Sequence, residues 1–307
     1  MDNEIVEKVL LAHVEEQRRA RRWGNVWRAA SFGVLVLILS LSFWDPMGSS
    51  RLHPTSRHTA LVDLSGVIDQ DGGASADVMN ESLREAFKNT HAAGIILRIN
   101  SPGGSPVQSG MIFDEVRRLK ALHKDKPVVA VVADVAASGG YYVAAAADSI
   151  YVDKASLVGS IGVRMDGFGF TEAMKKLGVE RRVLTAGENK ALLDPFLPVD
   201  PKQKTAVQSM LSEVHQQFIE AVKHGRGDRL KPTADMFSGM VWTGAKSVEL
   251  GLADGLGTVD SVARDVIKAE EVVDYTLQPN LAERLAKRFG AAAGDAMAKV
   301  MLRWGMH

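Results

Sequence analysis

Ser138 is the side chain whose setting best suits covalent chemistry. It follows a β-branched apolar run, Pro127-Val-Val-Ala-Val-Val-Ala-Asp134, and precedes the Ala-rich stretch from Gly139 to Asp148. The first run has the composition of a strand buried on both faces, the second that of a buried helix. A serine at such a junction meets free backbone N–H groups and the positive end of a helix dipole. It can serve as an acyl-transfer nucleophile, with the Gly139 N–H aimed at the oxygen that gains charge. A helix-capping serine followed by packing glycines explains the same stretch without any chemistry.

A serine hydroxyl needs a base to take its proton. No histidine lies between His123 and His215, and both His215 and His224 read as surface residues. The remaining option is a lysine made neutral by burial, which takes roughly 4 kcal/mol of desolvation and local field. Lys190 is the best placed, being followed directly by Ala191, Leu192 and Leu193. Spacing alone says little here, because most lysines are solvated.

A second glycine motif, Asn100-Ser-Pro-Gly-Gly-Ser105, closes another strand-like run. Glycines let backbone N–H groups approach a ligand unobstructed. Gly103 or Gly104 together with Gly139 could supply the two convergent donors of an oxyanion hole, although Ser-Pro-Gly-Gly alone is an ordinary turn. Ser-x-x-Lys, His-Glu-x-x-His and Gly-x-x-x-x-Gly-Lys patterns are absent. A hydrolase built on these residues therefore needs neither metal nor cofactor.

The elements that must position these residues alternate strand and helix. Ala60–Ile68, Gly94–Asn100 and Pro127–Asp134 read as strands, with helices over Val78–Asn89 and up to about Leu122. That order means an α/β fold with helices covering a sheet. Further strands are expected at Ser149–Asp153, Leu157–Val163 and Arg181–Leu184, with a short helix over Thr171–Leu177. A long helix is expected over Pro201–Lys223, on the spacing of Val207, Leu211, Val214, Phe218 and Val222.

The 307 residues carry 37 basic and 37 acidic side chains and no cysteine. Nothing global points to nucleic acid, and neither disulfides nor thiolate metal sites are possible. Residues 1–28 are polar and rich in arginine (Arg18, Arg19, Arg21, Arg22, Arg28), and an uncharged run, Ala29–Trp44, follows. It is shorter than the ~20 residues of a full crossing, but Trp27 and Trp44 bracket it as interface anchors do. We expect a single signal anchor, with residues 1–28 cytoplasmic and the bulk outside. A cleaved signal peptide or a buried helix are the rivals. Residues 45–57 read as a linker, 58–275 as the main domain and 276–307 as an amphipathic tail.

Five motifs in order carry a resemblance to the signal peptide peptidase A family of serine–lysine proteases. They are Asn100–Ser105, Asp134–Tyr142, Gly159-Ser-Ile-Gly-Val163, Gly187-Glu-Asn-Lys190 with Pro195-Phe196, and Trp242-Thr-Gly244 with Gly251–Asp254. The resemblance runs from about Thr59 to Asp260. It implies a ClpP/crotonase-like spiral of ββα units, preceded by one transmembrane helix, whose subunits associate into a homo-oligomeric ring. It also implies Ser138 as nucleophile, Lys190 as general base, Ser160 as the residue that orients the lysine, and Gly139 and Gly104 as oxyanion donors. Many relatives have a Gly-Ser-Pro-Phe type loop after the lysine, where this chain has Leu-Leu-Asp-Pro-Phe. The substrates implied are remnant signal peptides and other unfolded apolar peptides, cut outside the cytoplasm at the bacterial inner membrane. A crotonase-type acyl-CoA enzyme and a catalytically silent scaffold of the same fold remain as alternatives.

Overall fold

The computed structural model describes residues 22–34, 36 and 55–277. The chain divides into two compact units, Pro54–Gln278 and a second made of Met1–His53 with Pro279–His307. In the second unit, residues 22–34 form helix α1, which exposes Trp23, Trp27 and Phe32. Among the described residues no helix is long and apolar enough to cross a membrane. Arg18, Arg19, Arg21, most of the Ala29–Trp44 run and tail residues 278–307 lie outside the described residues.

The larger unit is mixed α/β. Its strands are β1 (His58–Ser65), β2 (Ala92–Ser101), β3 (Val128–Ala137), β4 (Ser149–Val152), β5 (Leu157–Gly159), β6 (Val241–Thr243), β7 (Gly255–Leu256) and β8 (Val272–Asp274). The sheet runs β6-β5-β3-β2-β1-β8, with β4 on β3 and β7 on β4. All of these pairs are parallel except β5 with β6. Ile95, Ile96, Leu97 and Ile99 of β2 are all buried, so the strand reads as a continuous apolar run rather than an alternation.

Helices α2 (Ala76–Lys88), α3 (Pro106–Leu122), α4 (Gly139–Ala144) and α6 (Pro201–Arg226) contribute to the main core on one face. Met79, Leu83, Ala86 and Phe87 place one stripe of α2 in that core, each large side chain contributing about 2 kcal/mol of burial. Ser105 caps α3 by accepting from the Gln108 N–H, and Asp200 caps α6 by accepting from Lys202. Proline in the first turn of both helices lacks only an N–H that would be unpaired anyway. On the other face, Leu61, Ile96 and Val129 are covered by Val262, Ala263 and Ile267.

Two local features aim the site. The β2–β3 register shifts between Ile99 and Ser101. There the Asn100 side chain spans the gap, accepting from the Val135 N–H at 3.3 Å and donating to Asp134 at 3.0 Å. β3 also pairs twice on one side, with β4 through Val129–Val132 and with β5 through Val135–Ala137. The ends of β2, β3 and β5 thereby meet at one place.

The structure differs from the sequence reading at three points. Residues 181–184 pair with no strand, and Leu184 is fully exposed, so no neighbour offers a ladder. The strand expected over Leu157–Val163 stops at Gly159, because Gly159 and Ser160 take positive φ of 113° and 51° and leave the extended region. Residues 241–243, to which that reading gives no element, form β6, paired antiparallel to β5.

Candidate active site

Ser138 stands where β3 turns into α4, with φ 51° and ψ −123°. A non-glycine residue there costs of order 1–3 kcal/mol and persists only when its surroundings hold it. The holding contacts are its own N–H, which donates to Gly159 O at 2.8 Å, and its carbonyl, which accepts from the Tyr142 N–H at 2.9 Å. This strand–turn–helix geometry lifts the side chain to the top of the sheet, as in other strained nucleophile turns. The Ser138 side chain makes no capping bond, and its hydroxyl meets no partner among the described residues. The plain capping role open to it in the sequence is thus not the one it plays.

The loop Ser101–Gly104 packs directly on this turn. Gly103 has φ 97°, and a Cβ there would sit 2.6 Å from the Gly139 nitrogen, so only glycine fits. The Gly103 N–H is already taken by Ser101 Oγ at 3.1 Å, and its carbonyl by the Ile68 N–H. Gly104 is different. Neither its N–H nor that of Gly139 meets a protein acceptor among the described residues, and an ideal Cβ on Gly139 would stand 3.3 Å from the Gly104 nitrogen. Two free donors therefore flank Ser138, the arrangement that stabilises a tetrahedral oxyanion.

Ser160 faces the same cleft of about 760 Å³, as do Gly103, Gly104, Ser138 and Gly139. Its N–H donates to Met240 O at 2.7 Å, and its hydroxyl meets no partner among the described residues. The apolar wall of the cleft includes Tyr142, Val214 and Phe218, and Tyr142 and Phe218 are stacked 4.8 Å apart. Burial pushes the Tyr142 phenol up, with the nearby Asp114 carboxylate adding to the shift, so it stays neutral at ordinary pH.

Lys190 is not part of this assembly. It lies in the turn that follows α5 (Thr171–Leu177), is exposed, and makes no ion pair with any described residue. The whole 164–200 segment is loosely covered. α5 buries no residue; Phe170 stacks on Phe196 and packs at a tilt against Phe168, all three remaining exposed, with Arg181 over the Phe196 ring. Of the six candidate residues, five share one cleft and Lys190 stands apart from it.

One contact escapes the sequence reading. His215 of α6 is half-buried, and its Nε2–H donates to the Ile161 carbonyl at 3.0 Å. The available signal was its spacing, four residues after Leu211 and three before Phe218 on the apolar stripe. No group of His, Cys, Asp or Glu suited to a metal occurs among the described residues.

Residues 120–273, half of the chain, match peptidase family S49. The chain belongs to that family. The matched stretch contains Ser138, Ser160 and Lys190, and Gly103 and Gly104 precede it. Over 219 residues, 70% of this chain, it is 49% identical to a Brucella melitensis protein named Na(+)/H(+) antiporter NhaA, covering 30% of that protein. It is 31% identical to Protease 4 of Haemophilus influenzae over 70% of this chain and 35% of the relative. It is also 31% identical to the chloroplastic serine protease SPPA of Arabidopsis thaliana, over 63% and 28% respectively. The chain thus spans about a third of the length of these relatives. The family is one of peptidases, and several relatives, Protease 4 and the chloroplastic SPPA among them, are named as proteases.

Proposed function

We propose that the chain is a membrane-anchored serine endopeptidase with a Ser138–Lys190 dyad that degrades remnant signal peptides after their release. The observation that carries this reading is the strained Ser138 turn flanked by the free N–H groups of Gly139 and Gly104. The neutral Lys190 amine takes the Ser138 proton as Oγ attacks the scissile carbonyl carbon. The developing oxyanion accepts from Gly139 and Gly104. The protonated lysine then gives its proton to the leaving amine, and water hydrolyses the acyl-enzyme with the lysine again as base. Ser160 orients the lysine.

Lys190 reaches Ser138 from a neighbouring subunit in this reading. Two features support it, the exposed lysine outside its own cleft and the uncovered aromatic cluster on the same segment. The ClpP/crotonase spiral, the ring and the extracytoplasmic placement belong to the same proposal. So do the boundaries of the cytoplasmic segment 1–28, anchor 29–44, linker 45–57, protease domain 58–275 and tail 276–307. A homologous stretch within a protein named as an antiporter supports a membrane setting. An apolar cleft wall suits the unfolded apolar segments of a signal peptide.

A fluorophosphonate probe tests the chemistry. Labelling of Ser138, lost in Ser138→Ala together with cleavage of a signal-peptide substrate, is the expected result. Unchanged cleavage by Ser138→Ala would overturn the assignment, and a parent chain that neither labels nor cleaves would leave the silent-scaffold reading.

A further inference from the structure

We infer that His215 is a positioning residue for the serine-peptidase reaction: it fixes the turn that presents Ser160 to the cleft. The inference rests on the assignment of Ser138 and Ser160 above. Gly159 and Ser160 both hold positive φ, and for a serine that conformation is unfavourable unless the surroundings impose it. Three consecutive residues of the turn are pinned. The Gly159 carbonyl accepts from the Ser138 N–H at 2.8 Å, the Ser160 N–H donates to Met240 O at 2.7 Å, and the Ile161 carbonyl accepts from His215 at 3.0 Å. The first two pins are backbone to backbone. The third is the only one made by a side chain.

The origin of that side chain gives the contact its meaning. His215 sits on α6, between Val214 and Phe218, which line the cleft. Phe218 stacks on Tyr142, whose N–H bonds the Ser138 carbonyl. One helix therefore grips both serine turns, through Tyr142 for Ser138 and through His215 for Ser160. Without the His215 contact the turn is held only by the two backbone bonds and the buried Ile161 side chain, which leaves the Ser160 hydroxyl less tightly placed. Displacements of about 1 Å at a reacting group cost on the order of a hundredfold in rate.

Glutamine is the conservative replacement, because its amide nitrogen lies as many bonds from Cα as the His215 Nε2 and can donate to the same carbonyl. We expect His215→Leu to lower kcat about ten- to a hundredfold with KM within about twofold, and His215→Gln to retain at least about half of the parental kcat. Thermal unfolding of each variant reports the purely structural share. If His215→Leu misfolds, His215→Asn, whose amide is one bond too short, replaces it with the same expectation. Parental kcat in a folded variant that lacks the donor overturns the inference, as does an equal kcat loss in His215→Gln. Ser138→Ala is run alongside. Activity surviving there would sink the dyad assignment instead, so the two failures are distinguishable.

Discussion

The backbone N–H of Ser138 donates to the carbonyl of Gly159 at 2.8 Å, so one cleft serine holds the residue that precedes the other. The two turns are coupled through the end of the β3–β5 ladder.

Gly103 gives a sharp test of the oxyanion side. Gly103→Ala puts a methyl 2.6 Å from the Gly139 nitrogen at φ 97°, where alanine is strained. The loop must move, and the Gly104 donor moves with it. Fluorophosphonate labelling of Ser138 should slow by about a hundredfold, with far-UV circular dichroism unchanged. Parental labelling would detach the Gly103–Gly104 loop from the chemistry.

Lys190 is exposed and pairs with no described residue, so its loss should leave folding intact. Lys190→Ala and Lys190→Arg are expected to melt like the parent, within about 0.5 kcal/mol. Both should lose at least about 10³-fold in kcat, since arginine stays protonated and cannot act as a base. Substantial cleavage by Lys190→Arg would remove the lysine from the mechanism.

Mixing experiments address the sharing of sites. Ser138→Ala and Lys190→Ala subunits, each inactive, should regain part of the activity when refolded together, because some interfaces then join an intact Lys190 to an intact Ser138. A mixed assembly that forms by tagged co-purification yet stays inert would put the dyad within one subunit.

Phe168 is four-fifths exposed and packs at a tilt against Phe170, which stacks on Phe196. Phe168→Ser should leave the monomer stable and weaken self-association by about tenfold or more, as loss of a buried aromatic anchor does. Sedimentation velocity would show it, and specific activity should fall on dilution sooner than for the parent. An unchanged oligomer distribution would free the cluster from that role.

Asp254 ties pH to stability. Burial alone would raise its carboxyl, but the hydrogen bonds and charge of Arg226, with the Ile150 N–H and Arg229, outweigh it and hold the pKa below the usual carboxylate range. A depressed folded pKa contributes stability above the unfolded value of about 3.9, lost as pH falls through the folded one. Arg226 is fully buried, so Asp254→Asn leaves its charge short of a partner and should cost about 3 kcal/mol at pH 7. Denaturant melts should show that gap narrowing below about pH 4. A gap independent of pH would assign the effect to packing.

Much of this was legible in the residues. The apolar runs of β1, β2 and β3 and the Pro201 start of α6 announce themselves through composition and spacing. So did the Ser138 junction, since a strand ending in Ser-Gly-Gly before an Ala-rich stretch leaves few other geometries. What stayed hidden depends on distant partners. The three-residue β6 has no periodicity to detect and exists because β5 lies beside it. The end of β5 is set by backbone angles at Gly159 and Ser160 that Met240 and His215 impose from elsewhere in the chain. Whether Lys190 meets Ser138 in its own subunit is a matter of three-dimensional placement that no spacing encodes.

The location of Lys190 on an outlying, loosely covered segment bears on how such an enzyme stays harmless while it is being made. A newly synthesised copy would hold a strained serine and its oxyanion donors with no base beside them. On the shared-site reading it would be latent without any inhibitory propeptide, and local crowding in the membrane plane would arm it. Its activity would then follow a power of its abundance greater than one.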